Sequence, residues 1–287
     1  MLKRTFLCAS LLAALISPAQ AELVAEWTFE NGLQDSGSSG YHGVYAGNGN
    51  PPQIINDGDN HYANFNTAGS IALPMYYDDT IESLGLSLWF NSTYSSPEYD
   101  YDGYDPATHV YDADWMAYIN SSFIDFDRSD YYSLMLTGNG EIMFSYVSRA
   151  SGTWQLYDIV AEGPTRYNDG DWHKVNVNYT PTGGLEIYTD GELILTDAYR
   201  GEIGAGTVRY GYIGDGSEAT SFAGNSNHIY YDGALDSVAI YDDAMSYQDI
   251  NDSYNAEKWT YTDVPVSFAS SIALLALFGA RRLREAV

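Results

Sequence analysis

"DGDWHKVNVNYTPTGGLEIYTDGELI", residues 169–194, is the stretch that decides the fold. Apolar and polar residues alternate along it, and this is the period of a half-buried β-strand. Glycine-containing turns at 181–184 and 190–191 separate the alternating runs. Asp-Gly is a strong signal for a two-residue hairpin because glycine tolerates a positive φ. The stretch therefore predicts consecutive antiparallel strands, at His173–Tyr179, Leu185–Thr189 and Glu192–Thr196.

The histidine in this stretch, His173, could have a structural role or a chemical one. His173 shares a strand face with Val175, Val177 and Tyr179, whereas Trp172 alternates out of step with them. A histidine at the start of such a strand is typical of a half-buried side chain that hydrogen-bonds to a neighbouring loop. That interpretation is favoured over a metal ligand or a general base.

The same alternation continues along most of the chain. No run of helical periodicity is long enough for a βαβ unit, and one short helix is predicted, from a capping box at Ser246–Asp249 to about Ala256. We predict an all-β fold, a two-sheet antiparallel jelly-roll sandwich, occupying residues 22–262. The further predicted strands are Leu23–Phe29, His61–Asn66, Ser70–Pro74, Leu84–Asn91, Tyr131–Leu136, Glu141–Val147, Gln155–Val160, Val208–Ile213 and Leu235–Tyr241.

Charge and cysteine content restrict the classes of partner. The formal net charge is −27, and such a surface repels nucleic acid and anionic lipid headgroups. Anionic polysaccharides would need bridging cations. The single cysteine, Cys8, lies near the N-terminus, so residues 22–287 contain neither disulfides nor a cysteine-based site.

The N-terminus has the three parts of a secretory signal peptide. Lys3 and Arg4 precede an apolar run, Thr5–Ile16, and Ala19-Gln20-Ala21 provides small residues for cleavage. Residues 1–21 are therefore predicted to be a signal peptide, and the rest of the chain is predicted to be exported.

The C-terminal segment "DVPVSFASSIALLALFGARRLREAV", residues 263–287, has an apolar run at 266–280 followed at once by Arg281, Arg282 and Arg284. At about 1.5 Å per residue a helix of that length is shorter than the ~30 Å hydrocarbon core. The order of Val-Pro, apolar helix and arginine cluster resembles the PEP-CTERM-like sorting signals of Gram-negative bacteria, although the Pro-Glu-Pro sequence is absent. The resemblance implies removal by an exosortase-like protease and delivery to the cell surface. The alternative is a retained anchor with marginal contact to the inner membrane.

Four stretches in order resemble the laminin-G-like jelly-roll family of concanavalin A-like sandwiches. They are "LVAEWTFENGLQDSGSSGYHG" (23–43), "IESLGLSLWFN" (81–91), the opening stretch, and "DGALDSVAIYDDAMSYQDI" (232–250). Together they span about residues 23–256. The resemblance implies an adhesive or carbohydrate-binding module, often with a calcium ion at the rim of the sandwich.

The segment "SSPEYDYDGYDPATHVYDADW", at about residues 95–115, is too polar for a strand and is predicted to be an insertion at the rim of the sandwich. Its aromatic rings could stack on sugars while its acidic oxygens accept hydrogen bonds from hydroxyls. The predicted ligand-binding residues are Tyr99, Tyr101, Tyr104, Tyr111 and Trp115. The chain has 27 tyrosines, so tyrosines in this segment are less informative than usual. Contact with a surface or matrix glycoprotein would use the same rings equally well.

Calcium is the expected cofactor, since it takes six to eight oxygen ligands from carboxylates, carbonyls and water. Two acidic groups compete for it. One pairs Asp35 with Asp236, which the fold should bring near each other. The other is Asp100, Asp102 and Asp105 in the insertion. For both groups, a role in capping turns or as solvated side chains remains an open alternative.

An enzyme is not expected. Glycoside hydrolysis generally uses two carboxyl groups about 5–10 Å apart, and the candidates Glu186, Asp190 and Glu192 are arranged around a hairpin turn instead. The strand Glu-x-Asp-x-x-Glu of related glucanases is absent. Three hypotheses remain: a surface glycan-binding or adhesive module, a structural matrix or biofilm protein without a small ligand, and a polysaccharide-active hydrolase or lyase.

Overall fold

The computed structural model describes residues 21–46, 50–58, 60–66, 69–96, 121–149, 152–216 and 230–261. Within these ranges it contains fifteen strands and one helix. The strands are β1 (Leu23–Trp27), β2 (Val44–Ala46), β3 (Gln53–Asn56), β4 (His61–Asn66), β5 (Ser70–Tyr77), β6 (Leu84–Asn91), β7 (Ser122–Asp125), β8 (Tyr132–Leu136), β9 (Ile142–Ser148), β10 (Gln155–Ala161), β11 (Trp172–Thr180), β12 (Gly184–Thr189), β13 (Glu192–Asp197), β14 (Arg209–Ile213) and β15 (Asp232–Tyr241). The helix is α1 (Tyr247–Tyr261).

These strands form two antiparallel sheets that pack into a sandwich. Sheet A has the order β13-β12-β11-β6-β15-β4-β3, with β1 also paired to β15. Sheet B has the order β10-β9-β8-β7-β14-β5-β2. Consecutive hairpins such as β7-β8-β9-β10 are joined through distant strands, since β15 lies between β6 and β4 and β14 lies between β7 and β5, as expected for a jelly roll. The predicted all-β sandwich is confirmed.

The core lies between the sheets and follows from the alternation in the sequence. Val175, Val177 and Tyr179 of β11 are fully buried and contribute to one cluster with apolar residues of sheet B. On β8 and β9, Leu134 and Phe144 oppose each other and point into the same cluster. Each strand therefore gives every second side chain to the core.

All twelve predicted runs are strands, and the hairpin between β12 and β13 turns at Asp190 and Gly191, whose φ angles are 55° and 82°. These positive values explain the Asp-Gly pair as turn chemistry. Three strands escaped prediction. β2 and β3 are short edge strands, and β7 carries "SFID", too short a segment to show a clear two-residue period.

The helix α1 begins where the capping box predicted. The backbone N–H of Asp249 donates to Ser246 Oγ at 3.1 Å, and the Ser246 hydroxyl donates to Asp249 Oδ2 at 2.6 Å. The helix ends at Tyr261, about five residues later than the sequence indicated. Its extra turn packs on the face of sheet A that points away from the core, and this packing is why local sequence signals underestimated its length.

Trp89 of β6 anchors that last turn. Its ring stacks on Tyr261 with centroids 4.1 Å apart, and its indole N–H donates to Glu257 Oε2 at 2.7 Å. Lys174 of β11 completes the contact, because its Nζ lies 2.6 Å from the same Glu257 oxygen and 5.7 Å from the centroid of the Trp89 ring. The helix therefore covers polar and aromatic side chains that would otherwise face solvent.

Within the described ranges, no helix has both the length and the apolar character needed to cross a membrane. The segment predicted to be an apolar C-terminal helix, residues 266–280, lies outside those ranges. Residues 1–20 of the predicted signal peptide lie outside them as well.

We expect Trp89→Ala to lower the free energy of unfolding by about 3–5 kcal/mol, because a large buried side chain is removed beneath α1. Urea denaturation monitored by circular dichroism measures the change. The matched control is Trp259→Ala. Trp259 lies on α1, the helix that packs on Trp89, but its own side chain is 63% exposed. This substitution should change the free energy of unfolding by no more than about 0.5 kcal/mol. Equal effects of the two substitutions would contradict the anchoring role of Trp89.

Candidate functional site

The predicted aromatic ligand residues and one of the two predicted calcium groups lie outside the described residues. These are Tyr99, Tyr101, Tyr104, Tyr111 and Trp115, together with Asp100, Asp102 and Asp105. Their roles stay predictions. The structure does describe the second calcium pair, Asp35 and Asp236, and a further recess that sequence patterns did not reveal.

Asp35 holds the loop that follows β1. Its Oδ1 accepts hydrogen bonds from the backbone N–H groups of Glu26 and Gly37 at 3.0 and 2.8 Å, and its Oδ2 accepts from Tyr41 N–H at 2.9 Å. Burial opposes ionisation, but these backbone donors outweigh it and lower the pKa of the Asp35 carboxyl. Asp35 is therefore a charged loop-capping residue.

Asp236 lies at a bulge in β15 and is 1% exposed. Its Oδ2 accepts from Asn60 Nδ2 at 2.9 Å and from the Tyr261 hydroxyl at 2.6 Å, while Oδ1 accepts from the backbone N–H of Ser237 at 2.6 Å. Burial raises the pKa of Asp236 to about 6, although the hydrogen bonds partly offset it. This carboxyl connects β15 to the end of α1.

Asp35 and Asp236 are both occupied by protein hydrogen-bond donors. They share no hydrogen-bond partner. Among the described residues, no group of three or more His, Cys, Asp or Glu side chains is arranged to hold a metal ion. The calcium site at Asp35 and Asp236 stays a prediction, as does the one at Asp100, Asp102 and Asp105.

His173 has the structural role that the sequence favoured. Its Nδ1 lies 2.8 Å from Asp190 Oδ2 and its Nε2 lies 3.1 Å from Asp169 Oδ1. Burial would lower the pKa of the imidazole, but hydrogen bonds and charge from Asp190 and Asp169 raise it overall. The ring thus fastens the start of β11 to two adjacent loops.

A recess of about 320 Å³ opens on the outer face of sheet B, the face that points away from sheet A. Val147 of β9 and Leu156 of β10 oppose each other and belong to the half of each strand that alternates away from the core. The β7–β8 turn, the segment before β10 and the loop before β14 surround them. The recess is lined by Ser129, Asp130, Val147, Trp154, Gln155, Leu156 and Ala205.

Trp154 gives the recess its aromatic surface. Its side chain is 42% exposed, and the guanidinium carbon of Arg149 lies 5.5 Å from the centroid of its ring. Gln155 also lines the recess, but its side chain lies on the opposite face of β10, where its Oε1 accepts from the hydroxyl of the core-facing Tyr157 at 2.5 Å. The recess therefore places an exposed ring beside the apolar side chains of Val147 and Leu156.

Asp130 supplies the available acceptor. Its Oδ2 accepts from Thr207 Oγ1 at 2.9 Å and lies 2.5 Å from Arg209 Nη2. Its Oδ1 accepts a hydrogen bond from none of the described residues. Arg209 also pairs with Asp127 Oδ2 at 2.7 Å, so the guanidinium orients Asp130 and is shared between the two carboxylates.

Sequence reasoning missed this site for a physical reason. Trp154 follows a glycine turn at Gly152 and belongs to no alternating run, so its pattern resembles that of a loop. The other walls come from residues 129–130 and 205, which only the packing of sheet B brings near it. The one available signal was a lone tryptophan at the start of a predicted strand.

The raised pKa of Asp236 predicts a pH dependence. Because the folded-state pKa is about 6 and the ordinary value is 3.8, the folded protein binds this proton more tightly than the unfolded chain. Stability from this group is thus present below pH 3.8 and is lost as the pH rises to about 6, on the order of 3 kcal/mol. We expect Asp236→Asn to flatten this decline in urea denaturation across the pH series.

The control for this pH series is Asp252→Asn, which removes an exposed carboxyl from α1. It should leave the decline in place, because its side chain stays in solvent in both states. If wild type and Asp236→Asn lose stability in parallel between pH 4 and 6, Asp236 does not carry the proton assigned to it.

Solved structures with a similar fold include domain 4 of AbnA, a GH43 extracellular arabinanase from Geobacillus stearothermophilus, in complex with arabinotriose. It matches with a TM-score of 0.55 and 18% identity, over 82% of this chain and 98% of that domain. The binding domain of Paraclostridial Mosquitocidal Protein 1 matches with a TM-score of 0.58 and 11% identity, over 83% of this chain.

A third similar structure comes from botulinum neurotoxin type C, described as entering cells through interaction with two ganglioside molecules. It has a TM-score of 0.50 and 17% identity, and the match covers 83% of this chain. This chain spans about half the length of the two toxin chains, 52% and 51%. At these identities the likeness shows the fold alone.

No curated protein sequence matches this chain. Residues 69–251, by contrast, match the Laminin_G_3 family, described as the concanavalin A-like lectin/glucanases superfamily. This match covers more than half of the sequence and agrees with the two-sheet sandwich observed here. The chain belongs to the Laminin_G_3 family of the concanavalin A-like lectin/glucanase superfamily.

Proposed function

We propose that this chain is an exported, non-catalytic carbohydrate-binding module and that the Trp154 recess holds a neutral glycan. The observation that carries the proposal is the recess itself, which is lined by an exposed indole and by Asp130, whose Oδ1 accepts a hydrogen bond from none of the described residues. A sugar offers an apolar C–H face for the ring, and its hydroxyl groups donate hydrogen bonds that a carboxylate oxygen can accept.

The compared structures support this choice of ligand class. Domain 4 of the arabinanase was solved with arabinotriose, and the botulinum neurotoxin type C domain is described as interacting with gangliosides. Both share the sandwich fold with this chain. Function depends on sites and not on folds. The proposed ligand class therefore follows mainly from the recess, and the compared structures support it.

Charge narrows the ligand further. The net charge of −27 disfavours anionic polysaccharides, nucleic acid and anionic membranes. Inside the recess, Asp130 pairs with Arg209. A neutral glycan avoids repulsion from the surface as a whole and still uses the polar groups of the recess.

One pair of carboxyl groups on the outer face of sheet B is too widely spaced to act as a glycosidase pair. Asp125, Ser133, Ser145 and Asp158 form one row across β7, β8, β9 and β10. Because the two carboxyl groups of this row lie three strands apart, their backbones are separated by about 14 Å. Glycosidases place their pair within about 5–10 Å. Asp158 is also ion-paired with Arg128 at 3.2 Å.

The ends of the chain suggest where the module acts. We propose that residues 1–21 are a signal peptide, that 22–262 form the binding domain and that 263–287 are a sorting segment removed by an exosortase-like protease. Export of this kind would place the domain at the surface of a Gram-negative cell. A glycan or a surface or matrix glycoprotein would then be its partner.

We expect wild-type protein to bind at least one neutral polysaccharide on an array that contains arabinan, galactan, mannan, xylan and glucans. Trp154→Ala should weaken that binding at least tenfold, a loss of about 1.4 kcal/mol, because it removes the aromatic surface of the recess. Trp259→Ala is the matched control, because Trp259 is an exposed tryptophan on α1 and does not line the recess. This variant should bind glycans as wild type does.

The same array distinguishes the alternatives. Absence of binding to every glycan would contradict the carbohydrate proposal and favour a structural matrix protein. Release of reducing ends or unsaturated sugars from a bound polysaccharide would show that the protein is an enzyme. Running the array with calcium and with a chelator tests the cofactor, since a calcium-dependent site in 100–105 loses its ion to the chelator. Equal binding in both conditions would argue against calcium.

Mass spectrometry of protein isolated from its native producer tests the proposed processing. We expect a mature N-terminus at Glu22 and no peptide containing Arg281, Arg282 or Arg284, because both ends are predicted to be cleaved during export. A purified protein that retains an Arg284-containing peptide would show that the C-terminal segment is kept as an anchor.

A further inference from the structure

We propose that the Trp154 recess is one end of a longer binding surface that takes an extended neutral oligosaccharide of several sugar units. The second contact is the exposed ring pair of Tyr76 and Tyr210. This inference rests on the proposed function. It adds the length of the ligand and the residues that contact its second end.

The ring pair is built by two neighbouring strands. Tyr210 of β14 lies directly opposite Tyr76 of β5, and their ring centroids are 5.4 Å apart at an interplanar angle of 51°. The two side chains are 50% and 49% exposed. Rings of this size are usually covered in the core of this protein, where tyrosines such as Tyr132 and Tyr146 are fully buried. Two half-exposed rings in contact therefore form an aromatic surface open to solvent.

Both rings lie on the same face of sheet B as the recess. On β5, Met75 on one side of Tyr76 points into the core, and on β14 a Cβ at Gly211 would meet the ring of Phe126. Because successive side chains point to opposite faces, Tyr76 and Tyr210 point outward, as Val147 and Leu156 do in the recess. Tyr76, Tyr210 and the recess also share one end of the sheet.

Asp130 joins the recess to the ring pair. Its backbone C=O accepts from Ala205 N–H at 2.7 Å, and its Oδ2 contacts both Thr207 and Arg209. The segment 205–209 is thus fastened along the wall of the recess and leads directly into Tyr210. Asp130 and the segment 205–209 therefore connect the recess to the strand that carries Tyr210.

The distance between the recess and the ring pair determines the size of the ligand. The strand order β10-β9-β8-β7-β14 places four strand spacings, about 19 Å, between the Trp154 side of the recess and Tyr210. A single sugar cannot reach across that distance, whereas an extended oligosaccharide can contact both ends. Between the ends, Arg209 pairs with Asp127 and Asp130, and the net negative charge of these three groups disfavours an anionic chain.

Isothermal titration calorimetry with linear arabino-oligosaccharides and cello-oligosaccharides, from disaccharide to hexasaccharide, tests the inference. For the series that binds, affinity should rise with chain length and level off once the chain reaches the ring pair. The double variant Tyr76→Ala/Tyr210→Ala should bind the hexasaccharide about tenfold more weakly and the disaccharide as wild type does. The variant Tyr76→Phe/Tyr210→Phe keeps both rings and should restore the gain.

Tyr247→Ala removes a comparably exposed tyrosine from α1 and should leave every affinity unchanged. The outcomes separate the two proposals. Binding that requires Trp154 but is independent of chain length, or equal for wild type and the double alanine variant, overturns the extended surface and leaves the recess. Absence of binding to every oligosaccharide in both series overturns the extended surface together with the recess. Unchanged thermal unfolding of each variant shows that the lost affinity reflects the missing rings.

Discussion

The two-residue alternation of side chains on sheet B is the constraint on which the functional surface depends. Leu134 and Phe144 must point toward sheet A to fill the core, so the residues next to them on β8 and β9 must point the other way. A shift of one residue in register would exchange the two sets. Apolar packing therefore fixes, at the same time, which side chains point outward on sheet B.

The outer faces of the two sheets differ in which side chains are covered and which are exposed. On sheet A, α1 covers Trp89 and Lys174, and Tyr261 reaches the buried Asp236. The corresponding face of sheet B carries the Trp154 recess and the exposed tyrosines. The helix thus covers part of sheet A, whereas exposed aromatic rings lie at one end of sheet B, whose central outward-facing residues such as Met135 and Met143 are buried.

Local sequence patterns contained most of the fold and little of the site. Strands such as β11 and β12 were predictable because their alternation and the Asp190-Gly191 turn act within a few residues. The length of α1 and the recess were not predictable, since both arise from contacts between distant segments. Trp154 meets Asp130 and Ala205 only after β8, β9 and β14 have assembled. For Asp236, the closing strand suggested a metal ligand, and in the structure its oxygens accept from Asn60, Tyr261 and Ser237.

A crystal structure of the protein in complex with a neutral oligosaccharide tests the central claim most directly. We expect a sugar ring against Trp154, with one of its hydroxyls donating to Asp130 Oδ1. A sugar bound elsewhere, for example among the tyrosines of 99–111, with the recess filled only by solvent, would contradict it.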